Sequence, residues 1–264
     1  MLELAAADFI RVLPLLAGIR QKVLPQAICE GLNPGRVFVD RRENPQLALL
    51  WSPVGYYFLA GDPARTGDLA EISRVLTDIF IPASQAGGET GFILIPSHPG
   101  WKEHLPALLP GREVIEIYRR PFQFNRDQFA ARENWRERIP GGFHLQQVDA
   151  TLAERIGVQA SWASVDDFLA NGLGFALLNG DEIASTCHSV FASRERFEID
   201  VHTEEKYQKR GFATLVASAF IEACLARGLQ PNWECFWEND ASTMLAGKLG
   251  FSAEPDYPVW FWEQ

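Results

Sequence analysis

The chain has 264 residues, a formal net charge of −10, 47% apolar residues and 22% charged residues. This composition is typical of a globular protein and not of a disordered one, and no run of about 18 apolar residues predicts a membrane-spanning helix. The acidic excess lies in the second half, since residues 1–140 carry 16 basic and 16 acidic side chains and residues 141–264 carry 8 and 18. That distribution argues against nucleic acid as a partner and would suit a cationic amine better.

The first half alternates strand-like and helix-like segments. Apolar spacing and turn residues predict helices over residues 1–34, divided by Pro14 and Pro25, and then further strands and helices. The predicted strands are 36–40, 46–51, 54–60, 91–95 and 113–124, and the predicted helices are 67–80 and 101–109. The start of the chain lacks the basic-then-apolar order of a signal peptide, so we expect a cytoplasmic protein.

A charged segment, 126–140, separates the halves and contains a predicted bridging helix at 127–138. The second half repeats the order of elements. Its predicted strands are 143–148, 174–178, 183–191, 197–202, 232–237 and 259–262, and its predicted helices are 152–156, 165–171, the segment after residue 211 that Gly228 stops, and 241–249. We therefore predict a mixed-sheet α/β fold with an N-terminal domain at 1–125, a connector at 126–140 and a C-terminal domain at 141–264.

The most informative stretch is 196–213, which reads RFEIDVHTEEKYQKRGFA. Phe197, Ile199 and Val201 alternate with polar residues, as in a strand with two different faces. A polar loop then leads into the first turn of an apolar helix. Such a turn offers backbone N–H groups and the positive end of a helix dipole, so the stretch predicts a phosphate site.

The motif Gln208-x-x-Gly211-x-Ala213 follows a strand, and Asn239-x-x-Ser242 and Leu249-Gly250-Phe251 follow some thirty residues later. These motifs resemble the GNAT N-acetyltransferase superfamily. The string from Glu198 to Ser242 looks like the subgroup that includes zwittermicin A resistance acetyltransferases. The resemblance over 1–140 rests on element order alone and implies a degenerate GNAT-like N-terminal half before a catalytic GNAT domain.

This resemblance implies acetyl-CoA as the cosubstrate. The positions that match the family's coenzyme A contacts are the strand end and the loop with its helix start, together with two residues near the last helix. They are Val201, His202, Thr203, Gln208, Lys209, Arg210, Gly211, Phe212, Ala213, Thr214, Asn239 and Ser242. Lys209 and Arg210 can instead be solvated loop residues, and Asn239 can equally be a helix N-cap.

Acetyl transfer to an amine needs a group that accepts the amine proton. Resemblance implies a carboxylate or histidine on the central strand, and we take Glu198 as the first candidate and His202 as the second. Many family members carry a tyrosine seven residues after the asparagine, which protonates the leaving thiolate. Ala246 stands at that position here. Tyr207 and Tyr257 are weak substitutes, because Tyr207 reads as a packing residue and Tyr257 lies near the last strand.

In the first half, the segment equivalent to the phosphate loop is 61–68, which lacks the motif and carries Asp62 and Asp68. We expect no coenzyme A there and assign this half to the wall of an acceptor cleft, with Trp51, Tyr56 and Tyr57 as candidate lining residues. Core packing is the alternative for each of them.

Other kinds of site are not expected. The four cysteines share no CxxC spacing and predict buried free thiols, the histidines lack metal-ligand spacing, and no G-x-S-x-G motif suggests a serine hydrolase. We predict an N-acetyltransferase that uses a small-molecule amine, without nucleic acid or membrane partners. The alternative is a coenzyme A-binding regulatory module without transfer. Trp260 and Trp262 would suit a domain or subunit contact, as in a homodimer.

Overall fold

The computed structural model describes residues 1–65, 69–130 and 134–264. The strands of these ranges are β1 Leu2–Glu3, β2 Arg36–Val39, β3 Leu47–Trp51, β4 Tyr56–Gly61, β5 Gly91–Pro96, β6 Ile115–Phe124, β7 Phe143–Gln147, β8 Gly174–Asn179, β9 Glu182–Ala192, β10 Arg196–Thr203, β11 Gln230–Asn232, β12 Glu234–Phe236, β13 Phe251–Ala253 and β14 Tyr257–Glu263.

The α-helices of the same ranges are α1 Leu24–Glu30, α2 Leu69–Arg74, α3 Ile81–Ala86, α4 Leu105–Leu108, α5 Arg126–Ala130, α6 Ala150–Ile156, α7 Val165–Asn171, α8 Phe212–Ala226 and α9 Asp240–Lys248. The π-helical segment Val75–Phe80 joins α2 to α3, and the longest 3₁₀ segment is Ala6–Gly18. No helix of the described ranges is long and apolar enough to cross a membrane.

The first compact unit comprises Met1–Arg119 and Tyr257–Gln264. Its strands lie in the order β1-β2-β3-β4-β5-β14, followed by the start of β6. The pair β4–β5 is parallel and the other neighbours are antiparallel. The core of this unit is rich in aromatic side chains, among them Tyr57, Phe80, Phe92, Trp101 and Trp262.

The second compact unit comprises Arg120–Asp256. Strands β7, β8, β9 and β10 form antiparallel neighbours, and β11 lies parallel to the start of β10. The second half of β6 pairs with β13 and neighbours β12. Helix α8 packs on β8, β9 and β10, and its apolar side chains belong to the core of this unit.

The same pairing pattern therefore occurs in both units, with three antiparallel pairs and then a parallel pair. The predicted mixed-sheet α/β fold is confirmed. Side chains cap two helices of the second unit, because Asp149 Oδ1 accepts from the Leu152 amide and Ser164 Oγ from the Asp167 amide at the starts of α6 and α7.

The compact units differ from the predicted domain division of 1–125, 126–140 and 141–264. Strand β14 belongs to the first unit, because it pairs antiparallel with β5 and with the first half of β6. Trp260 and Trp262 on β14 are consequently buried in the core of that unit, within the chain itself. The predicted bridging helix 127–138 is α5 and the 3₁₀ turn Trp135–Arg138, with residues 131–133 outside the described ranges.

The N-terminal segment is less helical than predicted. Residues Leu2–Glu3 form a strand on β2, and Ala6–Gly18, which contains Pro14, is a 3₁₀ segment and not an α-helix. Proline removes an amide donor and clashes with the preceding turn, which explains why a regular α-helix does not form there. The helix predicted from residue 67 extends to Ala86, and residues 66–68 lie outside the described ranges.

Candidate active site

Strand β10 lies at the point where the sheet of the second unit opens. Its first three residues pair with β11, the last pair being Glu198 with Asn232. The next strand, β12, neighbours β6 and not β10. The single strand predicted at 232–237 is thus two short strands, because Trp233 between them accepts at its carbonyl from the Phe122 amide of β6. Within the described residues, no strand pairs with this edge of β10 beyond Glu198.

The backbone of this open edge offers hydrogen-bonding groups. The Glu204 amide donates to the Ala184 carbonyl of β9 at 3.1 Å. Because successive amides of a strand point to opposite edges, those of Val201 and Thr203 point to the open edge. An extended ligand could therefore pair with β10 as an additional strand would.

Glu198 is the last residue of β10 that pairs with β11. Its side chain is buried, with 4% of the residue exposed, and its Oε2 accepts from Asn232 Nδ2 at 2.6 Å. Burying a carboxylate is costly unless donors satisfy it, so this amide contact helps to hold the charged side chain in place. Glu198 is positioned at the end of the paired segment and the start of the open one.

The loop after β10 has the backbone geometry of an anion site. Lys209 and Gly211 both adopt positive φ angles, 60° and 83°, on either side of Arg210. Alternation of this kind turns successive N–H groups toward one side. Helix α8 then begins at Phe212 without a side-chain cap, which leaves its first amides for an external acceptor. The Thr214 amide is an exception, because it donates to the Gly211 carbonyl at 3.1 Å.

Side chains of the loop mainly stabilise it. Gln208 Nε2 donates to the Thr203 carbonyl at 3.2 Å, which ties the loop to the end of β10. The guanidinium of Arg210 lies 5.1–5.7 Å from the ring centroids of Phe143, Tyr207 and Phe212. Phe212 itself is buried in the core. Of the predicted coenzyme A contacts, Gln208 and Phe212 therefore have structural partners for their side chains, and the exposed Lys209 extends into solvent.

Two hydrogen bonds stabilise the start of α9. Asn239 caps the helix, since its Oδ1 accepts from the Ser242 amide at 2.9 Å. The Ser242 hydroxyl accepts from Trp233 Nε1 at 2.9 Å. Three large apolar side chains in this region are exposed: Phe236, Trp237 and Met244. Asn239 is therefore the N-cap of α9, as the alternative interpretation predicted. Its Oδ1 makes the cap contact, and its Nδ2 takes no part in it.

The polar face of β10 carries Asp200 and His202 beyond Glu198. His202 is exposed, with its Nε2 3.6 Å from Glu204 Oε1. Asp200 is exposed and stands opposite the buried His188 of β9. Burial lowers the pKa of His188, and the charge of Asp200 acts in the opposite direction. His188 is therefore a neutral imidazole near pH 7.

The two tyrosines considered as substitutes for the one absent at position 246 both have structural contacts. Ala246 is fully buried. Tyr207 is buried and its hydroxyl donates to Glu182 Oε2 at 2.8 Å and accepts from Asn179 Nδ2 at 3.1 Å. Tyr257 lies on β14 in the first unit, with Arg20 over its ring. The packing role predicted for Tyr207 is the one that the structure shows.

The aromatic residues singled out in the first half are largely structural. Tyr57 is fully buried, and its hydroxyl and Trp51 Nε1 both donate to Ser84 Oγ, at 3.0 and 2.9 Å. Asp62 Oδ1 accepts from the Ala64 amide at 2.9 Å, so a carboxylate occupies the described part of the loop 61–68. Tyr56 is partly exposed. The contacts of Trp51 and Tyr57 are therefore those of packing residues, which is the alternative stated for them.

Two residues of the site were missed by sequence reasoning. Asn232 carries no local signal, because its contact with Glu198 spans 34 residues. His188 was considered as a metal ligand, and its pairing with Asp200 depends on the register of β9 and β10. Across the described ranges, no group of three His, Cys, Asp or Glu side chains is arranged to hold a metal ion, and all four cysteines are buried.

Comparison with known proteins agrees with this geometry. The family model for GNAT acetyltransferase matches residues 13–260. The Bacillus subtilis (strain 168) protein named "Uncharacterized N-acetyltransferase YdfB" is 29% identical over 241 residues, which cover 89% of this chain and 88% of that protein. A GCN5-related N-acetyltransferase-like protein from Streptococcus suis 89/1591 has a crystal structure similar at a TM-score of 0.73 and 25% identity, covering 98% of this chain and 100% of that one.

A tandem GNAT protein from the clavulanic acid biosynthesis pathway shares the fold at a TM-score of 0.61 and 13% identity, over 100% of this chain and 97% of that one. The family match covers most of both compact units. The chain therefore belongs to the GNAT acetyltransferase family.

Proposed function

We propose that the chain is an acetyl-CoA-dependent N-acetyltransferase that acetylates an amine of a small molecule by direct attack in a ternary complex. The observation that carries the proposal is the opening of the sheet beyond Glu198, which places a buried carboxylate beside an unpaired strand edge and a loop shaped for an anion. These three features match the proton acceptor, the pantetheine contact and the diphosphate contact that the proposed reaction involves.

The donor would be held mainly by the backbone. The diphosphate of acetyl-CoA would accept from the amides of the Lys209–Gly211 loop and the first turn of α8, where the positive end of the helix dipole also favours it. The amides of Val201 and Thr203 would pair with the extended pantetheine arm along the open edge. Asn239 Nδ2 and the exposed Trp237 near α9 are further candidate contacts.

The chemistry would begin when the acceptor amine loses a proton to Glu198, directly or through a water molecule. The neutral amine nitrogen then attacks the thioester carbonyl carbon, and the protonated nitrogen of the resulting adduct gives its second proton to water. The C–S bond breaks with the electron pair passing to sulfur. Because Ala246 stands where the family often has a tyrosine, the thiolate would take its proton from solvent. The products are the acetylated amine and coenzyme A.

The acidic character of the second half favours a cationic acceptor. Residues 141–264 carry 18 acidic against 8 basic side chains, so their field attracts an ammonium compound. The resemblance to zwittermicin A resistance acetyltransferases agrees with an antibiotic-like or amino-sugar amine. A coenzyme A-binding module without transfer is the second candidate, and the absence of a tyrosine at position 246 is the observation that favours it.

The test is thiol release from acetyl-CoA across a panel of amines, with wild-type protein and the variant Glu198→Gln. Glutamine keeps an oxygen that can accept from Asn232 Nδ2, so the fold is expected to persist. We expect kcat to fall by a factor of about 10²–10⁴ with an unchanged Kd for acetyl-CoA in calorimetry. The matched control is Glu195→Gln, an exposed carboxylate just before β10, for which no change is expected.

Full activity of Glu198→Gln would remove this residue from the mechanism. Binding of acetyl-CoA without turnover of any amine would favour the regulatory module. Absence of acetyl-CoA binding would contradict both candidates.

A further inference from the structure

Two carboxyl side chains of β10, those of Glu198 and Asp200, differ in how far they are exposed to solvent. Glu198 and Asp200 are two residues apart on the strand, with Glu198 buried and the side chain of Asp200 54% exposed. At a rise of about 3.3 Å per residue, their Cα atoms are about 6–7 Å apart, and the register of β10 against β9 shifts between Glu198 and Ile199. The strand therefore carries two carboxyl groups two residues apart, one buried and one exposed.

Among the described residues, no Lys or Arg forms an ion pair with Asp200. In the part of the chain that the structure describes, its recorded ion-pair contact is with His188, whose Nδ1 lies 3.9 Å from Asp200 Oδ2. That distance is too long for a hydrogen bond. Since burial keeps His188 neutral near pH 7, the charge of Asp200 is not cancelled by it.

The burial of His188 is a second, independent observation that indicates a ligand site beside Asp200. Only 8% of the residue is exposed, and its Nδ1 has no hydrogen-bond partner among the described residues. Among the described residues, the neighbours of His188 include Phe168 of α7, with ring centroids 6.3 Å apart, and its strand partners Gly174 of β8 and Asp200 of β10. A buried polar atom without a partner is costly, and a small rotation of Asp200 would let a protonated Nδ1 donate to its carboxylate.

We propose that Asp200, oriented by His188, binds the second ammonium group of a diamine acceptor whose first amine lies at Glu198. This inference rests on the proposed function and names its substrate class. With bonds of about 1.5 Å, an extended four- or five-carbon chain places two nitrogens about as far apart as the two carboxylates. One ammonium group loses its proton and reacts, and the other stays charged and sets the position of the substrate.

The experiment compares 1,4-diaminobutane with 4-aminobutan-1-ol, which replaces the second ammonium group by a hydroxyl at the same position. Wild-type kcat/KM is expected to be at least about tenfold higher for the diamine, the effect of one charge-assisted contact. In a series of diamines with three to six carbons, the optimum is expected at four or five. Equal kcat/KM for the diamine and the amino alcohol would overturn the proposal.

The variants Asp200→Asn and His188→Gln separate recognition from general damage. Asp200→Asn should raise KM for the diamine about tenfold with little change in kcat, and raise KM for the amino alcohol by a much smaller factor. His188→Gln should act in the same direction and less strongly. Asp181→Asn, in the turn between β8 and β9, is the control for loss of one negative charge. Equal losses on both substrates would show a purely structural role and contradict the inference.

Calorimetry tests the inference without turnover. Titration of 1,4-diaminobutane into protein saturated with coenzyme A should show binding about tenfold tighter for wild type than for Asp200→Asn. If no amine is acetylated and this difference persists, the proposed function fails and the recognition of diamines stands. If binding is absent or equal in the two proteins, the inference fails whatever the activity.

Discussion

At the scale of single residues, burial decides which side chains of the second unit can react. Glu198 is buried and satisfied in part by Asn232, whereas Asp200 and His202 further along β10 are exposed. Sequence alternation predicts a shared face for them, because side-chain direction in a strand has a period of two residues. The different burial of these residues depends on where β11 ends, which alternation does not determine.

The cysteines give a prediction at this scale. All four are buried, and burial raises the pKa of Cys29 and of Cys224 to about 12 and that of Cys187 well above its ordinary value. The thiolate is the reactive form, so the native protein should react with DTNB negligibly over the minutes of an assay.

In urea at the same pH, the unfolded chain should release four equivalents of thionitrobenzoate. Rapid reaction of the native protein would show that a thiol is accessible. If the native protein reacts slowly with DTNB, the thiol signal in the acetyl-transfer assay comes from coenzyme A and not from the cysteines of the protein.

At the scale of elements, the loop between β10 and α8 combines a local motif with a tertiary contact. Gly211 has a φ of 83° and no atom within 4 Å of the position that a Cβ would take, so its requirement for glycine comes from the backbone alone. Gln208 closes the loop onto Thr203, and Tyr207 ties it to Glu182 and Asn179 of the β8–β9 hairpin. The sequence motif predicted the glycine, but not these partners.

Gly211→Ala should therefore destabilise the protein by about 1–2 kcal/mol, the cost of a left-handed conformation for a residue with a Cβ. We expect weaker binding of acetyl-CoA as well, because the loop amides would shift. Urea unfolding and calorimetry measure the two effects.

The control is Gly247→Ala inside α9, where the added Cβ also meets open space. That change should stabilise the protein by about 0.5–1 kcal/mol, since alanine favours a helix more than glycine does. Similar effects of the two substitutions would refute the backbone explanation.

At the scale of the whole molecule, the strand partners of β14 do not follow from its position in the sequence. It follows the second unit in sequence and completes the sheet of the first, between β5 and β6. Its Trp262 is 1% exposed and packs against Tyr57 and Phe92, with centroids 5.8 and 5.6 Å away. A strand pattern alone predicts that β14 exists, and not which strands it pairs with.

Trp262→Ala should lower the free energy of unfolding by about 3–5 kcal/mol, because it removes a large side chain from a packed core. The indole nitrogen has no hydrogen-bond partner among the described residues, so the loss is one of packing. Trp237→Ala, at a 45% exposed position, is the matched control and should change stability by less than about 0.5 kcal/mol. Urea unfolding followed by near-UV circular dichroism distinguishes the two, and equal effects would contradict the placement of β14 in the core.

The sequence by itself determined the features that near neighbours along the chain control. These include the helix cap at Asn239 and the alternating apolar and polar residues of β10. They also include the glycine turn that starts α8, because each depends on a few consecutive residues and their backbone preferences.

Tertiary structure alone decided the contact of Glu198 with Asn232, the pairing of Asp200 with His188 and the position of β14. These depend on the register between segments that are far apart in sequence. Register follows from how whole sheets bury their apolar faces, which no local pattern encodes.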